Sequence, residues 1–369
     1  MRHRSWFLAL LVAPSISLAP TTGCGGQNAS GGVGAVDSGS SSGDTGQTGM
    51  PDSGPPPDRE VTELASLGSG VYTLQVDATA VYALLIAETA GASTQVMKIP
   101  LAGGTPVTLA TDPEYSEALA VYGGTAYWVD TSGPPDDAST TDGLVMSVST
   151  GGGTPAALAR DQGAPVTVAA DATGVYWGDA SQCPQVQAQP PCTAVGGIVT
   201  LPAGGSTPVV LATGQQAPEA IALDATNVYW GTSDGRVMSI PKSGGTATQL
   251  AYYEANIQYL VVAGSNVYWT TGTGDVMQTP VAGGSTTAVV VGFEQITSIA
   301  ADATNLYWAQ YDEQDYQTPG SASVQRMSLA GGAPTTVWTG SDVPEALQVD
   351  ATSVYFATDS GNVFRVTPK

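Results

Sequence analysis

The segment AIALDATNVYW, residues 220–230, occurs in seven variants along the chain. Each copy joins an alternating apolar run to a turn and then to a second apolar run, a pattern typical of two antiparallel strands. The Tyr of the motif recurs every 39 to 53 residues, a period typical of propeller blades rather than of helical repeats. These tyrosines are Tyr82, Tyr127, Tyr176, Tyr229, Tyr268, Tyr307 and Tyr355.

Two further apolar runs follow each copy of the motif. In the fourth repeat they are RVMSIP, residues 236–241, and TATQLA, residues 246–251, with a Gly pair between them. Each repeat therefore predicts a four-stranded antiparallel meander with strands a, b, c and d. The Gly pairs predict a two-residue hairpin turn between strands c and d, because Gly supplies the positive φ that such turns need.

The last repeat lacks its fourth strand. It reaches Lys369 directly after strand c, whereas VTELA, residues 61–65, resembles the strand-d segment PVTLA of residues 106–110. Pairing the first and last strands would remove both free sheet edges. We therefore predict that residues 61–369 form an all-β, seven-bladed β-propeller of four-stranded antiparallel blades, whose closing blade is shared between the N- and C-terminal strands.

Repeats of the form LD-x-x-x-x-VYW followed by a strand and Gly-Gly resemble the YWTD (LRP-type) β-propellers and their bacterial relatives. In place of the Thr-Asp that follows Tyr-Trp in that class, this chain has pairs such as Gly231-Thr232. YWTD propellers also have six blades rather than seven. The resemblance implies the propeller architecture, which these departures leave intact.

The N-terminal segment predicts export. Arg2 and Arg4 precede an apolar run at residues 6–13, which has the length of a signal-peptide core. That run is much shorter than the ~20 residues of a membrane-spanning helix. We therefore interpret residues 1–23 as a signal peptide.

Residues 24–60 predict a lipidated cysteine followed by a flexible linker. Thr22-Gly23-Cys24 ends like a bacterial lipobox, so we expect Cys24 to carry lipid. The Gly, Ser and Pro content that follows leaves little to bury, which favours a flexible tether. By resemblance to bacterial lipoproteins, the absence of Asp after Cys24 favours the outer membrane or the cell surface. The alternative is a periplasmic or secreted protein in which Cys24 is incidental.

Charge and composition exclude several functions. Ten Lys and Arg against 32 Asp and Glu give a net charge of −22, which repels nucleic-acid phosphates and anionic lipids. We expect no nucleic-acid partner, membrane contact only through the N-terminal lipid, and a monomer. The single His, His3, lies in the predicted signal peptide, which argues against His-based catalysis and His-ligated zinc. Cys183 and Cys192 bracket a loop of blade 3, and in an exported protein we expect them to form a disulfide.

Five repeats carry an Asp at one equivalent position, in the turn between strands a and b. A carboxylate there can accept hydrogen bonds from turn amides, so we interpret these residues as structural. They are Asp77, Asp171, Asp224, Asp302 and Asp350. The strand-b Trp residues recur in the same way and are predicted to fill the wedge between blades, with carbohydrate stacking as the alternative.

Two catalytic-looking motifs fail on their context. Residues 231–235 fit G-x-S-x-G but fall in a b–c hairpin instead of a strand-to-helix turn. Residues 239–242 fit S-x-x-K but fall on a strand, whereas that chemistry places Ser and Lys one helical turn apart. We interpret both as chance matches.

One end of the propeller is expected to differ between blades. The b–c and d–a connections emerge at the same end of an antiparallel meander, and the b–c segments are long in blades 1, 2, 3 and 6. Five residues before the turn Asp position, a ring of side chains is predicted at the mouth of the central channel. The ring consists of Tyr72, Glu117, Val166, Glu219, Gln258, Thr297 and Glu345. Its three carboxylates, Glu117, Glu219 and Glu345, suit a hard cation such as calcium, whereas the alternative is a set of solvated acids with no bound ion.

Three function classes follow from these features, and the third is a structural envelope protein that binds no small ligand. The first is a noncatalytic, lipid-anchored binding propeller of the cell envelope that holds a protein or glycan on the long-loop face. The second is a metal-dependent propeller hydrolase or lyase, in which Glu117, Glu219 and Glu345 would hold a Lewis-acid metal at the channel mouth.

Overall fold

A computed structural model describes residues 59–68, 70–86, 93–112, 115–131, 143–180, 196–253, 256–292, 295–313 and 318–369. These residues form 28 strands, and no helix occurs among them. In chain order the strands are β1 (Glu60–Ser66), β2 (Val71–Val76), β3 (Ala80–Leu85), β4 (Thr94–Pro100), β5 (Val107–Asp112), β6 (Tyr115–Tyr122), β7 (Thr125–Thr131), β8 (Leu144–Ser149), β9 (Ala156–Ala159), β10 (Pro165–Asp171), β11 (Gly174–Asp179), β12 (Gly196–Pro202), β13 (Val209–Gln215), β14 (Pro218–Leu223), β15 (Asn227–Thr232), β16 (Arg236–Pro241), β17 (Thr248–Tyr252), β18 (Leu260–Ala263), β19 (Asn266–Thr270), β20 (Val276–Pro280), β21 (Thr287–Val290), β22 (Gln295–Ala301), β23 (Asn305–Tyr311), β24 (Ala322–Ser328), β25 (Thr335–Gly340), β26 (Pro344–Val349), β27 (Val354–Thr358) and β28 (Asn362–Thr367).

The strands assemble into seven four-stranded antiparallel sheets, which are the blades of a β-propeller. Blade 1 is β2–β5, blade 2 is β6–β9, and the order continues to blade 6, which is β22–β25. Blade 7 has the strand order β1-β28-β27-β26, so the first strand of the propeller completes the last blade. Val61 lies opposite Val366 and Thr62 opposite Arg365 in this closing pair. The seven-bladed, four-stranded fold with a shared closing blade is confirmed.

The turns between strands c and d differ from the prediction. In blade 4, β16 ends at Pro241 and β17 begins at Thr248, so six residues connect them where a two-residue hairpin was expected. The amide of Gly244 donates to the carbonyl of Pro241 at 2.8 Å, which closes a four-residue turn. Gly244 and Gly245 have φ of +84° and +135°. The two-residue prediction is wrong because the first Gly ends a turn that begins at Pro, and three more residues reach the next strand.

The core lies between the blades, as seven apolar clusters that each join two neighbours. At six of the seven interfaces the strand-b Tyr of one blade packs beside the strand-b Trp or Phe of the next blade. Tyr229 and Trp269 are such a pair, and neither side chain is exposed to solvent. At the seventh interface Tyr355 of blade 7 packs with Ala83 of blade 1. Full burial of a large apolar side chain contributes about 2–3 kcal/mol, so these pairs hold the ring together.

A glycine after the strand-b Trp allows two blades to approach closely. An added Cβ at Gly231 would lie 2.4 Å from Cγ2 of Ile257, in the connection that leads into blade 5. At the equivalent Gly178 of blade 3, it would lie 2.8 Å from Cγ2 of Thr167 and 2.9 Å from Cβ of Pro218. The Gly that replaces the Thr of the YWTD pattern is therefore required by packing in these two blades.

Candidate functional site

The two ends of the propeller carry different connections. We call the end with the b–c and d–a connections the upper end, and the end with the a–b and c–d turns the lower end. The predicted ring of channel-mouth residues lies where the innermost strands begin, at the upper end. The regular turn motif, with its repeated Asp, lies at the lower end.

A β-bulge marks the predicted ring position in six of the seven innermost strands. In blade 4 the pairing of β14 with β15 shifts between Pro218 and Ala220, which leaves Glu219 as the extra residue. The shift recurs in blades 1, 3, 6 and 7 at Tyr72, Val166, Thr297 and Glu345, and in blade 2 it spans Glu117 and Ala118. A bulge frees a residue from the regular alternation of the strand and redirects its side chain. The sequence repeat located this position but gave no signal for the bulge.

Two of the predicted ring residues differ from the others. Thr297 is only 9% exposed, and its hydroxyl donates to the carbonyl of Pro344 in the next blade and to that of Ala309 at 3.4 Å. Thr297 thus lies at the predicted ring position, and its hydroxyl joins blades 6 and 7. Gln258 is exposed and precedes β18, so blade 5 has no bulge at this position.

Glu219 occupies a protonation-sensitive environment. Burial raises the pKa of its carboxyl above the usual range, and a hydrogen bond with the side chain of Asn256 opposes this only in part. The charge of Glu345 affects the pKa of a neighbouring residue, Tyr311. Burial, followed by the negative charges of Glu313 and Glu345, raises the pKa of Tyr311 in blade 6.

The predicted metal ligands are placed only in part. Glu219 and Glu345 lie at equivalent bulges of blades 4 and 7, whereas the side chain of Glu117 is outside the described part of the structure. Among the side chains that are described, no group of three or more His, Cys, Asp or Glu has the spacing of a metal site. The three-carboxylate calcium site therefore stays a prediction.

Charge is segregated between the two ends. At the upper end, among described side chains, 11 carboxylates lie in the connections or adjoining strand ends, against the two cations Arg160 and Arg236. The carboxylates are Asp130, Asp161, Asp179, Glu219, Asp234, Asp275, Asp312, Glu313, Asp342, Glu345 and Asp359. At the lower end six carboxylates are balanced by six cations, and the remaining described carboxylate, Glu63, lies midway along β1. The cations are Arg59, Lys98, Lys242, Arg326, Arg365 and Lys369, and the carboxylates are Glu60 and the five turn Asp residues. The negative charge of the described propeller is thus concentrated at its upper end.

Four of the five turn Asp residues at the lower end share one hydrogen-bond pattern. Oδ1 of Asp224 accepts from the amides of Thr226 and Asn227 at 2.7 and 2.6 Å, and Oδ2 accepts from the Tyr229 hydroxyl at 2.7 Å. Partial burial alone would raise the pKa of Asp224, but these bonds lower it below its usual range. Asp77, Asp302 and Asp350 make the same contacts, whereas Asp171 accepts from Thr173 and Lys242. The amide contacts are the ones that the sequence suggested, and the Tyr contact was not foreseen.

Two lysines join neighbouring blades at the lower end. Lys242 of blade 4 forms an ion pair with Asp171 of blade 3, and it also donates to the carbonyl of Asp224. Lys369 of blade 7 pairs with Asp302 of blade 6 at 2.6 Å. Both lysines directly follow a Pro, which is the last residue of strand c in blade 4 and the residue after strand c in blade 7. Lys242 is also the Lys of the S-x-x-K match, and its ammonium is occupied by these structural contacts.

The other motifs have structural explanations. Residues 231–235 span the b–c hairpin between β15 and β16, as their sequence context indicated. There the hydroxyl of Thr232 accepts from the amide of Arg236 at 2.9 Å and donates to Asp234 at 2.6 Å, which fixes the turn. The five repeated Trp side chains are at most 1% exposed, so they cannot stack on a glycan.

Several predictions fall outside the described residues. They concern the signal peptide, the lipidated Cys24, the linker up to residue 58, and the disulfide between Cys183 and Cys192. Within the described ranges, no helix is long and apolar enough to cross a membrane.

The geometry defines the class of the molecule: it is a seven-bladed β-propeller with one acidic end. A model of the family "Strictosidine synthase-like, N-terminal" matches residues 207–240, which is about a tenth of the chain. No curated protein matches the sequence.

Solved structures share the fold at low sequence identity. Virginiamycin B lyase from Staphylococcus aureus is 13% identical, with a TM-score of 0.60 over 84% of this chain and 98% of that chain. The WD40 propeller domain of Doa1 is 9% identical, with a TM-score of 0.60 over 84% and 97%. YCF48 bound to D1 peptide is 10% identical, with a TM-score of 0.57 over 86% and 96%. At these identities the likeness extends to the fold alone.

Proposed function

We propose that this chain is a noncatalytic binding propeller that holds a positively charged protein against its upper end. The observation that carries the proposal is the segregation of charge, with 11 described carboxylates against two cations at the upper end and balanced charge at the lower end. Such a field accelerates the encounter with a cationic partner and orients it. The same field disfavours nucleic acid and anionic lipid.

The scaffold supports this role. Buried clusters and inter-blade ion pairs fix the blades, while the b–c connections differ in length from blade to blade along the sequence. A rigid scaffold with variable connections at one end is a common arrangement for recognition. YCF48, which shares the fold, was solved with a bound peptide. We favour a protein over a glycan because the repeated Trp side chains are buried.

The proposal includes export and anchoring through Cys24, which places the propeller on the outer membrane or cell surface. Metabolic labelling with a palmitate analogue tests this in the natural host. The wild-type chain should be labelled and Cys24→Ala should not. An unlabelled wild-type chain would favour the periplasmic or secreted alternative.

Calorimetric titration with a ten-residue oligolysine peptide tests the charged upper end. The upper variant is Glu313→Gln with Glu345→Gln, and the matched control is Glu60→Gln with Glu63→Gln, which removes the same charge from β1. Loss of one charge contact of about 1 kcal/mol corresponds to roughly fivefold weaker binding. We expect at least that loss in the upper variant and less than a twofold change in the control. Equal losses in both variants would contradict the proposal.

A metal-dependent hydrolase or lyase is the second candidate function. It is favoured by the equivalent bulges that carry Glu219 and Glu345, and by the raised pKa of Glu219. The enzyme would use a metal held with Glu117 as a Lewis acid. Calcium titration of the wild-type chain and of Glu219→Ala separates the candidates. Absence of heat in the wild-type chain rejects the metal enzyme, whereas tight binding that is lost in the variant favours it.

A further inference from the structure

A small cavity, partly open to solvent, lies between blades 5 and 6 at the lower end, away from the acidic upper end. Its volume is about 160 Å³. Its side-chain walls are Tyr268, Gln278, Val289, Leu306, Met327 and Leu329, and the turn after β24 closes one side. Four of these six side chains are purely aliphatic or a thioether, so most of the wall is apolar.

This interface lacks a charge pair that two other interfaces have at the equivalent positions. Between blades 3 and 4 the positions are occupied by Asp171 and Lys242, and between blades 6 and 7 by Asp302 and Lys369. Counting back five residues from the strand-b Tyr, the Asp position in blade 5 is Ala263. The Lys position in blade 6 is occupied by Leu329. The amide of Leu329 donates to the carbonyl of Thr304, and the amide of Lys242 makes the equivalent bond to the carbonyl of Thr226 in blade 4.

Among the polar residues of the wall, Tyr268 carries a hydroxyl whose proton no described residue accepts. Tyr268 lines the cavity and is only 2% exposed. Its hydroxyl accepts from Nδ2 of Asn266 at 3.3 Å. In blades 1, 4, 6 and 7 the equivalent Tyr donates its proton to the turn Asp. In blade 5 Ala263 provides no acceptor, and no other described residue accepts from the Tyr268 hydroxyl.

We propose that this cavity is a binding site for a neutral, largely apolar small molecule with a single hydrogen-bond acceptor. The apolar walls disfavour a charged ligand, and the Tyr268 hydroxyl supplies one donor. An engineered protein cavity of about 150 Å³ binds benzene, which sets the size at roughly six to eight non-hydrogen atoms. A carbonyl on a saturated or aromatic ring matches this chemistry. The site is independent of the function proposed for the upper end.

The experiment compares two probes of seven non-hydrogen atoms, cyclohexanone and toluene, by saturation-transfer NMR and by calorimetry on the full chain. Cyclohexanone has one carbonyl acceptor and toluene has none. We expect both to bind the wild-type chain, cyclohexanone more tightly. Tyr268→Phe should weaken cyclohexanone about threefold to tenfold, the value of one hydrogen bond, and leave toluene within twofold.

The decisive variant introduces an Asp–Lys pair at this interface. Ala263→Asp with Leu329→Lys introduces the pair found at the 3–4 and 6–7 interfaces, and it should fold and fill the cavity. Both probes should then lose binding. Binding that persists in a folded double variant overturns the proposal, as does the absence of binding by the wild-type chain. If the double variant does not fold, the Tyr268→Phe comparison decides: equal weakening of both probes, or of neither, overturns the proposal.

Discussion

The hydroxyl of Tyr229 donates a 2.7 Å hydrogen bond to Oδ2 of Asp224, five residues earlier in blade 4. The same bond recurs in blades 1, 6 and 7. It joins the buried strand-b Tyr, which packs against the next blade, to the a–b turn of its own blade. One repeated side-chain pair therefore connects the turn to the blade interface.

Removal of this bond should destabilise the propeller. Tyr229→Phe leaves Oδ2 of Asp224 without its donor in a partly buried site, so we expect the free energy of unfolding to fall by about 1–2 kcal/mol. The matched control is Tyr127→Phe in blade 2, where Tyr122 stands at the Asp position. The control removes no such bond, so its free energy of unfolding should stay within about 0.5 kcal/mol of the wild-type value, which is the scatter of neutral substitutions. Denaturant unfolding measures both variants. Equal effects would show that the Asp is not the relevant partner.

Stability should fall in acid. Hydrogen bonds lower the pKa of all five turn Asp carboxyls in the folded chain, with Lys242 and Lys369 adding to the effect at Asp171 and Asp302. A carboxyl whose pKa is lower in the folded chain stabilises the fold at any pH above its unfolded-state pKa of about 3.9. This contribution is lost as the pH falls through the folded-state pKa. Unfolding at pH 7, 4 and 2.5 measures it. Asp224→Asn should flatten the profile between pH 4 and 2.5, and an unchanged profile would argue against the assignment.

The ionisation of Glu219 should change stability with pH in the opposite direction to that of the turn Asp residues. Its pKa is raised in the folded chain, so its ionisation opposes folding as the pH rises above about 4.5. Glu219→Gln should therefore increase stability at pH 7 and change it little at pH 4. A loss of stability at pH 7 would show that the carboxylate has a stabilising partner.

The lysine that joins blades 3 and 4 should matter more than an exposed ion pair. The Lys242 side chain is 8% exposed, and Lys242→Met would leave Asp171 without its ammonium partner. We expect the free energy of unfolding to fall by about 1–3 kcal/mol. In the control, Arg236→Met breaks a pair with Asp234 whose side chains are 46% and 33% exposed, so its effect should stay within about 0.5 kcal/mol. Equal effects would remove the inter-blade role of Lys242.

Ring closure can be tested by removing β1. Deletion of residues 59–67 exposes the edge of β28 and removes the contacts of Leu64 and Ala65 with the cluster between blades 7 and 1. We expect a loss of at least about 3 kcal/mol, and partial recovery when a synthetic peptide of residues 59–67 is added. A deletion of equal length within residues 25–58 serves as the control. A propeller that keeps its full stability without β1 would contradict this role.

The repeat pattern was sufficient for the fold. Seven spaced Tyr residues predicted the blade number, and the match between residues 61–65 and the other strand-d segments predicted the closing pair. Side-chain repetition also located the Asp turns and the buried Trp positions, because one residue type in many blades serves one structural purpose.

Features that differ between blades were less accessible from the sequence. The bulges at Glu219 and Glu345 depend on strand pairing, which local sequence does not specify. The bond from Thr297 to Pro344 depends on how closely two blades approach. The pairing of Lys242 with Asp171 joins residues 71 positions apart, and nothing in the motif around either residue indicates it.

Site-specific photo-crosslinking tests the central claim most directly. A photoreactive residue is placed either at Ser233, exposed at the upper end of blade 4, or at Ala225, exposed at the lower end of the same blade. Cells that carry each full-length variant are irradiated, and the adducts are identified by mass spectrometry. We predict adducts with a basic protein from position 233, reduced when Glu313 and Glu345 are neutralised, and none from position 225. Adducts from position 225 alone, or adducts that do not depend on the two carboxylates, would contradict the proposal that the acidic upper end binds the partner.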